Sequence, residues 1–269
     1  MARVTRRIPL VTLLAAVLAS TPHAIAQTST PTAPSATSHD ARLTPEVVSL
    51  FMANYYRAPE PNVVPSIIQA AINSGLLEQQ SRRMPVIAFM AGLIATDPTF
   101  VNRLAPLFEK LPGEQPMRLT RAIIYSGRPD WSLHTARLKN MWPTKADEIE
   151  TLASKGGRSI PHLKTEGNPL VIDMNWAYFG ATGHRDAVEK VIAALPTALD
   201  GSNAQVLLTA QSAKWSLTSN AAQHPLVLDI CHQHRTGPHG EQLKEVITAA
   251  EARLNKAAPK PTSPKSTQM

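Results

Sequence analysis

At four places along this chain a polar residue is followed directly by proline, with an apolar stretch close behind: Thr44-Pro45, Asp97-Pro98, Asn168-Pro169 and His224-Pro225. This pairing opens α-helices. Proline has no N–H to leave orphaned in the first turn, and its fixed φ is already helical. Downstream of the first pair, Val47, Leu50, Phe51 and Tyr55 recur at the spacing of one helical face. No segment shows a period of two with β-branched enrichment, so strands are not expected. The chain is therefore committed to an all-α fold.

The same punctuation sets out the expected elements. After the helix that opens at Thr44-Pro45-Glu46, a second runs from about Val63 to Ser74 and stops at Gly75, a natural left-handed cap. A third is expected to start near Pro85 and to carry Ile87, Met90, Ala91 and Ile94. Asp97-Pro98 caps a fourth, with Phe100, Val101, Leu104, Leu107 and Phe108 facing inward until Pro112-Gly113. Further helices are expected at about 116–126, 130–141, 144–154, 169–181, 185–195, 203–221, 225–235 and 240–256.

Two helix starts echo each other. Asn168-Pro169-Leu170-Val171-Ile172-Asp173 and His224-Pro225-Leu226-Val227-Leu228-Asp229 match, identically or conservatively, at five of six positions. Each places an aspartate in the N-terminal turns, where the helix dipole favours it. The starts at 97, 168 and 224 lie 71 and 56 residues apart, which is not a fixed period. The expected architecture is thus irregular helical hairpins, stacked as a short solenoid or gathered into a compact multi-helix bundle.

The ends of the chain read differently. Arg3, Arg6 and Arg7 precede an apolar run from Ile8 to Ala19, about twelve residues and too short to span a bilayer. Ala24-Ile25-Ala26 supplies small residues for signal peptidase, so residues 1–26 read as an export signal cut after Ala26. Thr5-Arg6-Arg7-Ile8-Pro9-Leu10 also resembles a twin-arginine signal, but Pro9 stands where that pattern prefers a large apolar residue. Ordinary unfolded export to the periplasm or beyond is the expected route. Residues 27–42 are rich in Thr, Ser, Pro and Ala and read as a flexible leader, and residues 257–269 as a disordered tail. A single helical domain over 43–256 lies between them. No later segment approaches eighteen uninterrupted apolar residues, so no transmembrane span is expected in the mature protein.

Charge narrows the partners. The formal net charge is +7, but the signal holds three arginines and no acid, leaving 24 basic residues against 20 acidic. Lys256, Lys260 and Lys265 near the C-terminus leave 21 against 20 for the body. A near-neutral body without a dense basic run is not a nucleic-acid binder. The lone Cys231 rules out an internal disulfide, so the core alone must hold an exported fold.

Cys231-His232-Gln233-His234, with His224 before and His239 after, is the sharpest chemical cluster. On a helix Cys231 and His234 share a face, while His232 points about 100° away. A thiolate and imidazoles suit copper or zinc, so Cys231, His232 and His234 are the candidate metal ligands. The commoner alternative makes Cys231 a small buried hydrophobe and the histidines a polar last turn. A second cluster, Ser154-Lys155-Gly156-Gly157-Arg158-Ser159 with His162 and Lys164, offers Lys155 and Arg158 to an anion. Without a preceding strand it reads more readily as an exposed inter-helix connection. Asn175 and Trp176 are candidate ligand-facing residues, because amides such as Asn175, Asn220 and Gln211 need partners when buried or else point into a groove. Phe51, Tyr55, Tyr56, Trp176, Tyr178, Phe179 and Trp215 are, on the commoner reading of such aromatics, expected to pack in the core or between helices.

No Gly-x-Ser-x-Gly elbow, His-Glu-x-x-His pair or aromatic-flanked carboxylate pair occurs, and Asp147, Glu148 and Glu150 read as a solvated face. No catalytic residue is therefore assigned. The run Asn175-Trp176-Ala177-Tyr178-Phe179-Gly180-Ala181-Thr182-Gly183, with Ala213-Lys214-Trp215-Ser216-Leu217, Asn220-Ala221 and the signal, resembles exported bacterial proteins without an assigned function, built from irregular tetratricopeptide- or HEAT-like hairpins. The 34-residue tetratricopeptide consensus is not met. That resemblance implies a fold class and carries over no site residues. The expected function is a non-enzymatic module that binds a protein or peptide in a groove between hairpins. The alternative is a periplasmic copper- or zinc-binding protein.

Overall fold

The structure, a computed structural model, describes residues 43–196 and 203–257. The expected signal, the leader and nearly all of the expected tail lie outside the described residues. Among those described, every regular element is helical. The twelve α-helices are α1 (Pro45–Asn54), α2 (Val64–Asn73), α3 (Gln80–Thr96), α4 (Phe100–Glu109), α5 (Met117–Tyr125), α6 (Trp131–Met141), α7 (Ala146–Ala153), α8 (Pro169–Thr182), α9 (Arg185–Ile192), α10 (Ala204–Gln223), α11 (Pro225–His234) and α12 (Gly240–Ala257). Short 3₁₀ turns occupy Tyr55–Arg57, Pro143–Lys145 and Ile160–His162. No helix among the described residues is long and apolar enough to cross a membrane.

The core is organised around α3 and α8. Nine consecutive residues of α3, Val86 to Ile94, are buried, and nine of the fourteen in α8 are buried as well. A helix apolar all round has to sit at the centre of a packed body. These two pack on each other more extensively than any other pair, although they are far apart in sequence. This central pair departs from a stack in which each hairpin meets only its neighbours. Around it, α5 packs on α3 and carries α6 and α7, while α9, α1 and α10 pack on α8, and α10 in turn carries α11 and α12.

Glycine sets the spacing of α1 against α8. A β-carbon at Gly180 would stand 2.2 Å from the Met52 carbonyl oxygen, so no larger residue permits this approach. Gly92 does the same between α3 and α8, where a β-carbon would meet the Ala181 β-carbon at 2.6 Å. Aromatic rings close the junction. Phe51, Tyr55 and Phe89 form a cluster, and Tyr56 lies 4.7 Å from Phe179, centroid to centroid.

Three expectations need correcting. The inward face of α1 is Val48, Met52 and Tyr55, whereas Val47 and Leu50 are 44% and 66% exposed. The helix carries apolar residues on two sides, and the demand for a small-residue contact with α8 decides which side turns in. Next, α3 begins five residues before Pro85 and contains it. Pro85 lacks the N–H that would bond the Ser81 carbonyl, a defect tolerated because both residues border open space. Finally, Trp215 is 65% exposed on α10 instead of packed in the core. Tyr178 and Phe179 are buried as expected.

Candidate functional site

The α1–α8 junction leaves a groove. Its inner part, about 290 Å³, is walled by Met52 and Ala53 of α1, Pro85 of α3, Trp176, Ala177 and Phe179 of α8, with Ser49, Asp173, Asn220 and His224 supplying polar groups. An outer part of about 570 Å³ shares Ser49, Met52, Ala53 and Pro85 and continues past Glu46, Leu50, Leu76, Ser81, Arg82 and Gln223. The two adjoin along α1 through these four shared residues, and are taken together as the trough.

Each polar group in the inner trough has a definite chemical sense. His224, only 2% exposed, ends α10 and begins α11, and Pro225 fixes its extended backbone. Its Nδ1 lies 3.1 Å from the Tyr56 hydroxyl, which also accepts from Arg57 Nε at 3.4 Å. Burial, reinforced by the Arg57 guanidinium, pushes the imidazole pKa down to about 4, so the ring is neutral at pH 7. Asn220 turns its Nδ2 back to the Ser216 carbonyl at 2.9 Å, leaving Oδ1 as the atom it can offer.

Asp173 is the anomaly. The echoing Asp229 is exposed and accepts from Gln233 Nε2 at 2.7 Å, one turn along its own helix. Asp173 accepts no hydrogen bond and faces no cation among the described residues. Part of its surface stays open to water, but protein atoms crowd the rest of the carboxyl, and this desolvation pushes its pKa up to about 6. One turn further along α8, the Trp176 indole N–H is buried with no acceptor. An unpaired carboxylate on the trough and a buried, unpaired indole N–H thus stand three residues apart on α8.

The other candidates are distributed elsewhere. Cys231 is fully buried, and burial pushes its thiol pKa up to about 12. His232 Nε2 faces Glu251 of α12 at 3.3 Å, whereas His234 Nε2 faces Glu189 of α9 at 3.2 Å. The two imidazoles therefore serve different helix contacts, and among the described residues no three His, Cys, Asp or Glu groups come together to hold a metal ion. Lys155 and Arg158 are exposed and form no ion pair among the described residues; Gly157 between them lies against the Trp131 indole. Asn175 is fully buried, its Nδ2 given to the Val171 carbonyl at 2.7 Å and its Oδ1 left without a partner. Of the four residues expected to face a ligand, only Trp176 lines the trough.

The sequence reading singles out neither Asp173, a dipole-favoured acid there, nor His224, a cap lying near the Cys231 cluster, as a groove residue. A signal is present: Asp173 stands between the buried Ile172 and Met174 in a largely apolar helix. No family model, curated protein or solved structure matches this chain.

Proposed function

We propose that this chain is an exported, non-enzymatic module that binds a protein or peptide, and that the trough along α1 is its binding surface. Export rests on the n-region, apolar run and Ala24-Ile25-Ala26 of residues 1–26. Binding rests on one observation: the trough is walled by Met52, Ala53, Pro85, Trp176 and Phe179 and carries on α8 a carboxylate, Asp173, that accepts no hydrogen bond among the described residues. A peptide segment carries N–H donors and an apolar side chain every few residues, so it can pair the carboxylate and cover the apolar walls at once. The exposed Val47 and Leu50 extend the apolar surface along α1 beyond the trough.

Selection of peptides from a random display library on residues 27–269 tests this reading. Peptides are expected to bind the parent and to lose at least about tenfold in affinity against Ser49→Trp. Ser49 is exposed, borders both parts of the trough and bonds only the Pro45 carbonyl, so the new indole fills the trough without entering the core. Failure to select any peptide, or equal binding to the filled variant, overturns the assignment.

A further inference from the structure

Resting on that peptide-binding reading, we infer that the inner trough selects a lysine side chain, with the ammonium group against Asp173 and the aliphatic stem along Trp176 and Phe179.

Charge complementarity carries this. The inner trough contains one ionisable acid, Asp173, and no cation. His224 is neutral at pH 7, held so by burial and by the neighbouring Arg57 charge. Asn220 offers an oxygen, because its amide nitrogen is already given to Ser216. The Trp176 indole N–H is buried out of reach, so the groups open to the space besides the imidazole can accept, and Asp173 carries the only formal charge among them. Further out, Glu46 and Arg82 already oppose each other electrostatically, so the outer trough adds no net preference.

Shape agrees with charge. About 290 Å³ holds one long side chain, well short of a folded domain. A lysine stem is apolar and unbranched and lies readily along aromatic and methyl surface, with the charge only at its tip. Trp176 stands one helical turn from Asp173 on the same face, and an indole ring attracts an ammonium to its surface. The ammonium tip of lysine is more compact than the planar guanidinium of arginine and suits a hollow of this size. The outer trough, walled by Leu50, Leu76 and Val86, then receives apolar residues flanking the lysine.

The test uses residues 27–269 and two pools of capped nonapeptides made from Leu, Ile, Ala and Pro, one with lysine and one with norleucine at the centre, read by calorimetry. Norleucine keeps the stem and removes the ammonium. Lysine peptides are expected to bind the parent about tenfold more tightly than norleucine peptides, as a charge-assisted pair implies. Asp173→Asn should erase that difference. Equal binding of the two pools to the parent, or a lysine preference that survives Asp173→Asn, overturns the lysine assignment and leaves the peptide trough standing. Binding of neither pool overturns both. If free n-butylamine displaces the lysine peptides at equal concentration, the site is one for small amines and the peptide part is overturned. Thermal unfolding of Asp173→Asn confirms that the variant is folded.

Discussion

The Tyr56 hydroxyl meets Nδ1 of His224 at 3.1 Å, joining the end of α1 to the junction of α10 and α11 across 168 residues of sequence. Tyr56 also packs on Phe179, and Phe179 on His224, so one hydrogen bond locks three elements at the inner end of the trough. Tyr56→Phe keeps the ring packing and leaves a buried Nδ1 unpaired. The expected loss is about 1–2 kcal/mol, read from urea unfolding at pH 7. A change below a few tenths of a kcal/mol would show that the contact does not hold the junction.

His224 also shapes the acid limb of stability. Its pKa is about 4 in the folded chain against 6.5 as reference, so between those values the unfolded state binds a proton that the folded state refuses. Stability is therefore full above pH 6.5 and falls as pH drops towards 4, by up to about 3 kcal/mol. His224→Gln keeps a partner for Tyr56 and cannot charge. Its unfolding free energy should fall less steeply between pH 6.5 and 4 than that of the parent; parallel curves would contradict the assignment.

Asp173 works in the opposite sense. Its pKa rises from 3.8 to about 6, so across that window the folded chain keeps a proton the unfolded chain has lost, and stability declines as pH rises. Asp173→Asn removes this penalty. A gain on the order of 1 kcal/mol is expected at pH 7, reduced from the full shift because part of the side chain meets water, and it should vanish below about pH 4. Denaturant titrations at pH 7 and pH 3.5 check both the gain and its disappearance; a variant less stable than the parent at pH 7 refutes it.

At the contact of α1 with α8, Gly180→Ala places a methyl group 2.2 Å from the Met52 carbonyl oxygen. Backbone cannot yield as a flexible side chain does, so α1 has to move outward, at a cost of about 3 kcal/mol. Such a shift widens the trough, and peptide affinity should fall along with the melting temperature. Unchanged melting would mean that the helices do not approach so closely.

Cys231 is expected to be chemically silent in the native protein. A buried thiol with its pKa pushed up to about 12 holds almost no thiolate at pH 8. Reaction with an aromatic disulfide reagent should be slower than for a free thiol by on the order of a thousandfold, and complete once the chain is unfolded in guanidinium. Fast labelling of the native chain would place the thiol in solvent.

Much of the helical layout was legible in the sequence, for a local reason. A cap followed by proline acts on its own first turn, so the starts of α1, α8 and α11 are correctly read at Pro45, Pro169 and Pro225. Asp97 likewise accepts from the Thr99 backbone N–H at 2.9 Å and its hydroxyl at 2.8 Å, just ahead of α4. The start of α3 was not legible, because a proline inside a helix and a proline at its start look alike until the neighbours are known. The inward face of α1 was hidden for a related reason: Val47 and Leu50 keep helical spacing as well as Val48 and Met52 do. The places of Asp173 and His224 on the trough were not legible, since each owes its surroundings to helices remote in sequence.

By themselves, the residues of this chain determined that it is helical, where most helices begin, and that no disulfide assists the core, since these properties follow from near neighbours and from composition. Only the tertiary structure decided which of two matching aspartates is left without a partner. Asp229 and Asp173 occupy the same place in nearly the same hexapeptide. One accepts from a glutamine on its own helix, and the other borders the hollow between α8 and α1 with no donor of its own. The solvation of a charge is set by what packs around it, and packing is a property of the whole fold.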